Sequence, residues 1–385
     1  MRIVLFVHSL LSDWNHGNAH FLRGVASELR SRGHDVWIFE PRDAWSLQNL
    51  LTEPDGELAL EGFRAAYPML KSSRYDVQTL DLEAALDGAD LVLVHEWSDH
   101  ELVRRIGDHH KRGGSRYRLL FHDTHHRSVT ARATMAAYDL SGYDGVLAFG
   151  SMIRDCYLRE GWAARAWTWH EAADTRVFHP IPGEPCEGDL VWIGNWGDDE
   201  RTAELRAFLF GPVRELGLTG RVHGVRYPEE ARRELAEAGL HYAGWLPNYL
   251  VPGVFARFRV TVHVPRRPYT QALPGIPTIR VFEALACGIP LVSAPWEDTD
   301  GLFTAGEDYL VAWGGSEMTR HLRDLLHDPE MAREMAARGR AKILDRHTCA
   351  HRVDELLEID RELRSPARES WRAQGAERPA QVGMP

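Results

Sequence analysis

Lysine is almost missing from this 385-residue chain: Lys71, Lys111 and Lys342 stand among 45 basic side chains, and all the others are arginine. Any contact to phosphate must therefore come from arginine, whose planar fork suits bidentate recognition, or from backbone N–H groups. Cysteine is scarce as well. Cys156, Cys186, Cys287 and Cys349 are far apart and form no CxxC pair, which excludes a disulfide framework and a cysteine zinc site. No apolar run reaches the ~18 residues of a membrane span. The opening segment Met1–Val7 is too short for a signal peptide and no small-residue cleavage site follows it. The expected location is the cytoplasm, free or peripheral to a membrane, with no integral membrane segment. A positive excess is missing too: the net charge is −11, which argues against a nucleic-acid partner, since such binders present a basic face. No GxGxxG follows a strand candidate, which disfavours a dehydrogenase-type dinucleotide site.

What is present is alternation. Short β-branched or aromatic runs alternate with amphipathic helical segments from end to end, the pattern of parallel sheets covered on both faces. The fold class is α/β, and the length fits two domains. In the first half the strand candidates are 2–7, 35–39, 91–95, 118–122 and 145–149, with a helix over 19–32 that stops at Gly33. Residues 174–185 carry three prolines and a glycine and read as the interdomain linker. A second series follows, with strands at 190–193, 221–223, 260–264 and 291–294 and helices at 201–216 and 228–238. Helices at 316–327, 329–345 and 348–363 come after, the last crossing back to the first domain. The expected division is 1–174, a linker 175–187, 188–346, a crossover helix 347–364, and a disordered tail 365–385 rich in Pro, Gly and charge. Segment 43–76 reads as helices inserted after the second strand.

The richest stretch is 277–293, Pro-Thr-Ile-Arg-Val-Phe-Glu-Ala-Leu-Ala-Cys-Gly-Ile-Pro-Leu-Val-Ser. It predicts a buried helix capped by Thr278, ended by Gly288, and passed through Pro290 into a strand. The helix start offers unpaired N–H groups to phosphate, with Thr278 and Ile279 at its mouth; Arg280 adds charge, and Glu283 can accept from two ribose hydroxyls. The plainer reading pairs Glu283 with Arg280 three positions back.

Ligands of doubly wound sheets lie beyond the carboxyl ends of the strands, and here those ends are polar. The loop after the first strand carries His16, Gly17 and His20; Gly17 lets backbone approach a phosphate or sugar. His95 and Glu96 follow one strand; His122, Asp123, His125 and His126 follow another. A metal site is a weaker reading of these, because neighbouring His125 and His126 chelate poorly together and no HxH or HExxH occurs. The stronger one has His122 and Asp123 bonding a sugar or relaying a proton. Later, Gly194, Asn195 and Gly197 form a second loop able to admit a diphosphate, with Arg201 at its rim, and Arg266 and Arg267 follow a strand where they can neutralise a leaving phosphate.

Residues 279–292 resemble the nucleotide-binding signature of GT-B glycosyltransferases of family 4, with an Arg-Val-Phe-Glu-Ala run typical of the CgeB-like group. Residues 16–36, Phe121-His122-Asp123 and the linker residues Asp174, Thr175, Phe178 and Pro180 are similar to other parts of that family. The resemblance implies two Rossmann-like domains facing a cleft. It also implies a donor substrate that is a nucleoside diphosphate sugar, no cofactor, no metal, and retaining transfer of a hexose-like sugar to an acceptor such as a small molecule, glycan or lipid-linked sugar. By position, Glu283 would hold the ribose, Gly17 would meet the diphosphate and His122 the donor sugar. His20 or Asp123 would serve as base if the reaction inverted. One position departs: Gly275 stands where the family carries the first of two glutamates. A sugar-nucleotide epimerase of the same fold and a non-catalytic nucleotide-sugar binder are the competing readings, the latter favoured by Gly275.

Overall fold

A computed structural model of the protein describes residues 1–112 and 117–365. The expected tail lies outside the described residues, apart from Ser365, which follows the last helix. Seven strands make the first sheet: β1 (Arg2–Phe6), β2 (Asp35–Pro41), β3 (Ser72–Tyr75), β4 (Leu91–His95), β5 (Arg118–Asp123), β6 (Gly145–Ala148) and β7 (Ala166–Thr168). Their order is β3-β2-β1-β4-β5-β6-β7, all parallel. Six make the second: β8 (Gly188–Ile193), β9 (Gly220–His223), β10 (Leu240–Tyr242), β11 (Phe258–His263), β12 (Leu291–Ser293) and β13 (Leu310–Val311). Their order is β10-β9-β8-β11-β12-β13, again all parallel. The central strands are buried on both faces, as in Ile3, Val4, Leu5 and Phe6, and that is why they read as unbroken apolar runs. Strand order reverses between β1 and β4 in one sheet and between β8 and β11 in the other. Each reversal splits the covering helices and opens a crevice at the strands' carboxyl ends.

No helix or strand occurs in residues 169–187, which lead from one sheet to the other. The helix Cys349–Arg364 returns to the first domain: Trp169 Nε1 donates to the Arg352 carbonyl at 2.8 Å, and the Arg364 guanidinium to that of Asp90 at 2.8 Å. Gly24 in the helix Ala19–Ser31 makes this crossing possible. A Cβ there would stand 2.4 Å from Cys349 Sγ and 2.8 Å from Asp174 Cβ, so any side chain would force the returning helix and the linker away.

Two expected elements differ. The segment 201–216 is not one α-helix: Thr202–Leu205 and Gly211–Leu216 are α, and Arg206–Phe210 between them is wound as π-helix. Pro212 has no N–H to give to the preceding turn, which breaks the ladder there. Thr278 does precede the helix Ile279–Cys287, but its side chain makes no capping bond; its φ is +64° and its Oγ1 stands 3.5 Å from His263 Nε2. Segment 43–76 holds the helices Trp45–Leu50 and Gly56–Ala66 and then β3. Among the described residues no helix is long and apolar enough to cross a membrane.

Candidate active site

The two crevices face each other across one cleft, made of a cavity of about 740 Å3 and an adjoining one of about 190 Å3. Both are lined by His16, Gly17, His125, Arg266, Tyr269 and Thr278, so they are continuous. The loops that build them are strained. Among the described residues the non-glycine positions with positive φ are Asn15, Asp198, Asp199, Arg226 and Thr278; Asn15, Arg226 and Thr278 line the cleft, and the two aspartates immediately precede Glu200, which also does. For a β-branched residue such as Thr278 this conformation is a true outlier, and strain of this kind concentrates at working sites.

The smaller cavity is cationic. Gly194 and Asn195, at the end of β8, line it, and Gly224 passes so close that a Cβ on it would lie 2.1 Å from the Gly194 carbonyl. Asn195 Oδ1 accepts from the Val225 N–H at 3.0 Å, and its amide donates to Asn15 of the other domain. Arg201 lies under this loop rather than at its rim: buried, it donates to the carbonyls of Val264 (2.9 Å) and Asn195. It forms no ion pair among the described residues. Burial, together with the charges of Arg266 and Arg280, pushes its guanidinium down to about 9. Three arginines thus converge on one pocket of an acidic protein, and the charges of Arg266 and Arg280 add to burial in depressing Arg201. Arg267 is not with them. It points out of the cleft, donating to the Glu200 carbonyl at 3.0 Å and standing 3.6 Å from Glu204.

The larger cavity is aromatic and rich in histidine, with Glu200, Arg226 and Arg266 lining it from the second domain. Trp14, Trp45, Trp97 and Tyr269 line it with His16, His125, His126 and Glu171. Burial drives His16 and His125 well below the usual histidine range and His126 to about 4, so all three are uncharged at neutral pH. Glu171 goes the other way: burial, with Glu283 nearby, lifts its carboxyl to about 8 although the Asn18 amide donates to it at 3.3 Å. The loops after β1 and β5 already marked His16, His125 and His126, and Trp45 belongs to the inserted segment 43–76; Trp14, Trp97, Tyr269 and Glu171 escaped the sequence reading. Scattered tryptophans and one glutamate in the linker form no local pattern.

The residues expected at the reacting centre sit behind it. His122 is buried between Phe21, Trp169 and His95, and burial drives it to about 3. Asp123 is fully buried; it accepts from the Tyr157 hydroxyl at 2.9 Å and the His125 N–H at 3.0 Å, so it holds the loop that presents His125. His20 accepts at Nε2 from the Asp174 N–H (2.8 Å), so its proton is on Nδ1, directed at Glu283 Oε1 at 2.8 Å. With that lone pair occupied, and lining neither cavity, His20 is not placed to reach an acceptor hydroxyl. Glu283 is completely buried and lines neither cavity. It accepts from His20, from Asn248 Nδ2 at 2.7 Å, and from Arg280. Burial opposes its charge, but Arg280 and these hydrogen bonds outweigh that and keep the carboxyl below its usual range. The expected ribose ligand is therefore a joint between domains. Gly275, the missing acid, is held at φ +89° with Asp300 Oδ1 and Thr299 Oγ1 each 2.8 Å from where a Cβ would be. Asp300 in turn accepts from the Ser151 N–H (2.9 Å) and from His170 Nε2 (2.8 Å), closing the second domain on the first. Among the described residues no group of three His, Cys, Asp or Glu side chains is placed to hold a metal ion.

Solved structures share the fold that carries this cleft. The chain superposes on an alpha-glucosyltransferase in complex with UDP-glucose and DNA containing an abasic site, with TM-score 0.67 at 12% identity over 94% of this chain and 99% of that one. The fold is that of the GT-B glycosyltransferases. Anabaena HepE in complex with UDP and glucose shares the GT-B architecture (TM-score 0.65, 13% identity, 93% and 99% covered). So does a sucrose-phosphate synthase from Thermosynechococcus elongatus (TM-score 0.64, 14%, 94% and 99%). A family model described as glycosyl transferase-like matches residues 201–358, which cover the second domain after β8 and its loop and most of the returning helix. No curated protein matches the chain by sequence.

Proposed function

We propose that the protein is a glycosyltransferase that takes a sugar from a nucleoside diphosphate donor, with the diphosphate in the smaller cavity and the acceptor in the larger. The observation that carries this reading is the convergence of Arg201, Arg266 and Arg280 without enough carboxylate to balance them. Arg280 is paired with Glu283 and Arg266 with Glu200 at 3.1 Å, while Arg201 has only carbonyls. Departure of a nucleoside diphosphate builds negative charge, and fixed guanidinium groups in a closed cleft stabilise it without reorganisation. UDP is the donor base of first choice, since UDP or UDP-glucose is bound in two of the solved GT-B structures that the chain matches.

We further propose that transfer retains configuration and needs no metal. An inverting reaction needs a base on the acceptor hydroxyl. The imidazoles that face the cavity are held far below neutrality, which makes them weak bases, and Glu171 still carries its proton at pH 7. In a retaining reaction the departing phosphate itself accepts the acceptor's proton. The test is UDP binding by thermal shift, followed by incubation with UDP-glucose and related donors. Release of free or transferred sugar supports a transferase, interconversion of donors an epimerase, and stabilisation without turnover a binding protein. Arg266→Ala should weaken UDP binding by about tenfold or more, the worth of one lost charge-assisted contact; unchanged affinity would move the diphosphate elsewhere.

A further inference from the structure

Three indole rings gather at the acceptor end of the cleft. Trp45 lies between Trp14 (centroids 6.3 Å apart, 78° between planes) and Trp97 (6.2 Å, 71°). Each ring is partly exposed and lines the larger cavity. Trp14 is fixed by a hydrogen bond from Nε1 to Glu53 at 2.8 Å, Trp97 by the Arg127 guanidinium 4.1 Å from its ring centre, and Trp45 by a tilted contact with His8 (centroids 4.7 Å apart, 34° between planes). The rings are thus a preformed apolar corner rather than collapsed surface.

Beside this corner the same cavity is lined by His16, Asn18, His125 and His126, each with a buried polar atom that has no hydrogen-bond partner in the protein: His16 Nε2, Asn18 Oδ1, His125 Nδ1 and His126 Nε2, the last 3.8 Å from Glu200. A neutral imidazole offers one N–H and one lone pair, and an amide oxygen accepts, so the wall can both give and take hydrogen bonds without net charge. Arg127, the cation at the corner, is already paired with Glu96.

We infer that this corner is the acceptor subsite and that it takes a neutral pyranose sugar, stacked by its apolar face on Trp45 and Trp97 with its hydroxyls on the histidine and asparagine wall. The chemistry of the site separates this occupant from others. A quaternary ammonium would use the rings but not the unpartnered donors and acceptors. A phosphorylated or nucleic-acid acceptor would need free cations, whereas Arg127, Arg226 and Arg266 around this cavity are paired with Glu96, Asp198 and Glu200, on a chain of net charge −11. This inference rests on reading the cleft as a transferase site.

The test uses the full-length protein and saturation-transfer NMR with methyl and octyl glycosides of glucose, galactose and mannose, choline, and glucose 6-phosphate, with UDP thermal shift measured in parallel. Saturation of ring C–H protons of at least one methyl glycoside, with its octyl counterpart no tighter, is expected. Trp45→Ala and Trp97→Ala should each weaken that binding by up to about tenfold, the worth of one ring contact, with the UDP shift unchanged. Trp45→Phe, which keeps a ring, should retain most of it. Preference for choline, for glucose 6-phosphate or for the octyl chain would overturn the inference, as would the absence of any glycoside signal while UDP still binds. Loss of UDP binding by the unmodified protein would instead overturn the transferase reading beneath it.

Discussion

Glu283 supplies the sharpest test, because two readings of one residue predict opposite results. As a ribose ligand it would face solvent in the empty cleft, and Glu283→Ala would lose nucleotide affinity at little cost in stability. In the structure its carboxylate is buried and satisfied by His20 from the first domain, Asn248 and Arg280 from the second, and His20 is anchored in turn on the Asp174 N–H. Removing it strips three donors of their acceptor. Breaking a buried ion pair costs about 3–5 kcal/mol. For a domain of 150–250 residues, with ~2–4 °C for each kcal/mol, a loss of this size lowers the unfolding midpoint by roughly 6–20 °C. Glu283→Gln keeps the shape and one acceptor oxygen, but turns an amide N–H toward either Arg280 or the His20–Asn248 pair, so about half the loss should remain. His20→Ala in the Glu283→Ala background should add less than it does alone, since the pair acts as a unit. The assay is a thermal scan of the four variants, the double one included, beside their UDP affinities. A Glu283→Ala protein that melts with the parent and has lost UDP would refute the joint and restore the ribose ligand.

Arg201→Lys keeps the charge but cannot reach both Val264 and Asn195 carbonyls; it should lower stability by about 1–3 kcal/mol and weaken UDP binding, read by melting and titration. Glu171 titrates near 8 in the fold against 4.5 when unfolded, so folding takes up a proton between these values and stability falls as pH rises through that window. Glu171→Gln should therefore gain on the parent protein progressively from pH 5 to pH 8, by up to a few kcal/mol in order of magnitude; a difference that does not vary with pH would show that the carboxyl is ionised. Gly275→Ala should cost about 1–3 kcal/mol, because φ is +89° and Asp300 fills the space, and Gly275→Glu should do no better; a stable, more active Gly275→Glu would show that the site is open after all.

What could be read from the chain follows the range of the interactions. Strands β1, β4, β5 and β11 were legible because burial on both faces makes them continuous apolar runs. The helix Ile279–Cys287 was legible because Gly288, at φ +67°, ends it in the expected left-handed turn. Edge strands were not: β3 is Ser-Ser-Arg-Tyr with one buried residue, and β13 has two residues, too short to carry a pattern. The motif around Glu283 was visible, but its partner His20 is 263 positions away, so nothing local distinguished a ligand from a joint. The polar residues at the strand ends were in view as well. Which of them face the cleft was decided by a shift of two to four positions: His122 and Asp123 are buried behind it, and His125 and His126 line it from the loop that Asp123 ties down.

The cleft's division of charge is an argument about mechanism in itself. The same burial that keeps the histidines neutral leaves the arginines charged, because guanidinium loses its proton only under far greater pressure than imidazole. A cavity walled by buried basic residues therefore sorts itself: its arginine side stays cationic and its histidine side does not. A leaving diphosphate is stabilised on the first, and an uncharged hydroxylic acceptor pays no electrostatic penalty on the second. Exchanging the two, by moving a cation to the histidine wall with His126→Arg, which lines only the larger cavity, should slow transfer to a neutral acceptor while leaving UDP affinity within a fewfold of the parent. A variant that transferred as fast would show that the neutrality of that wall has no part in the reaction.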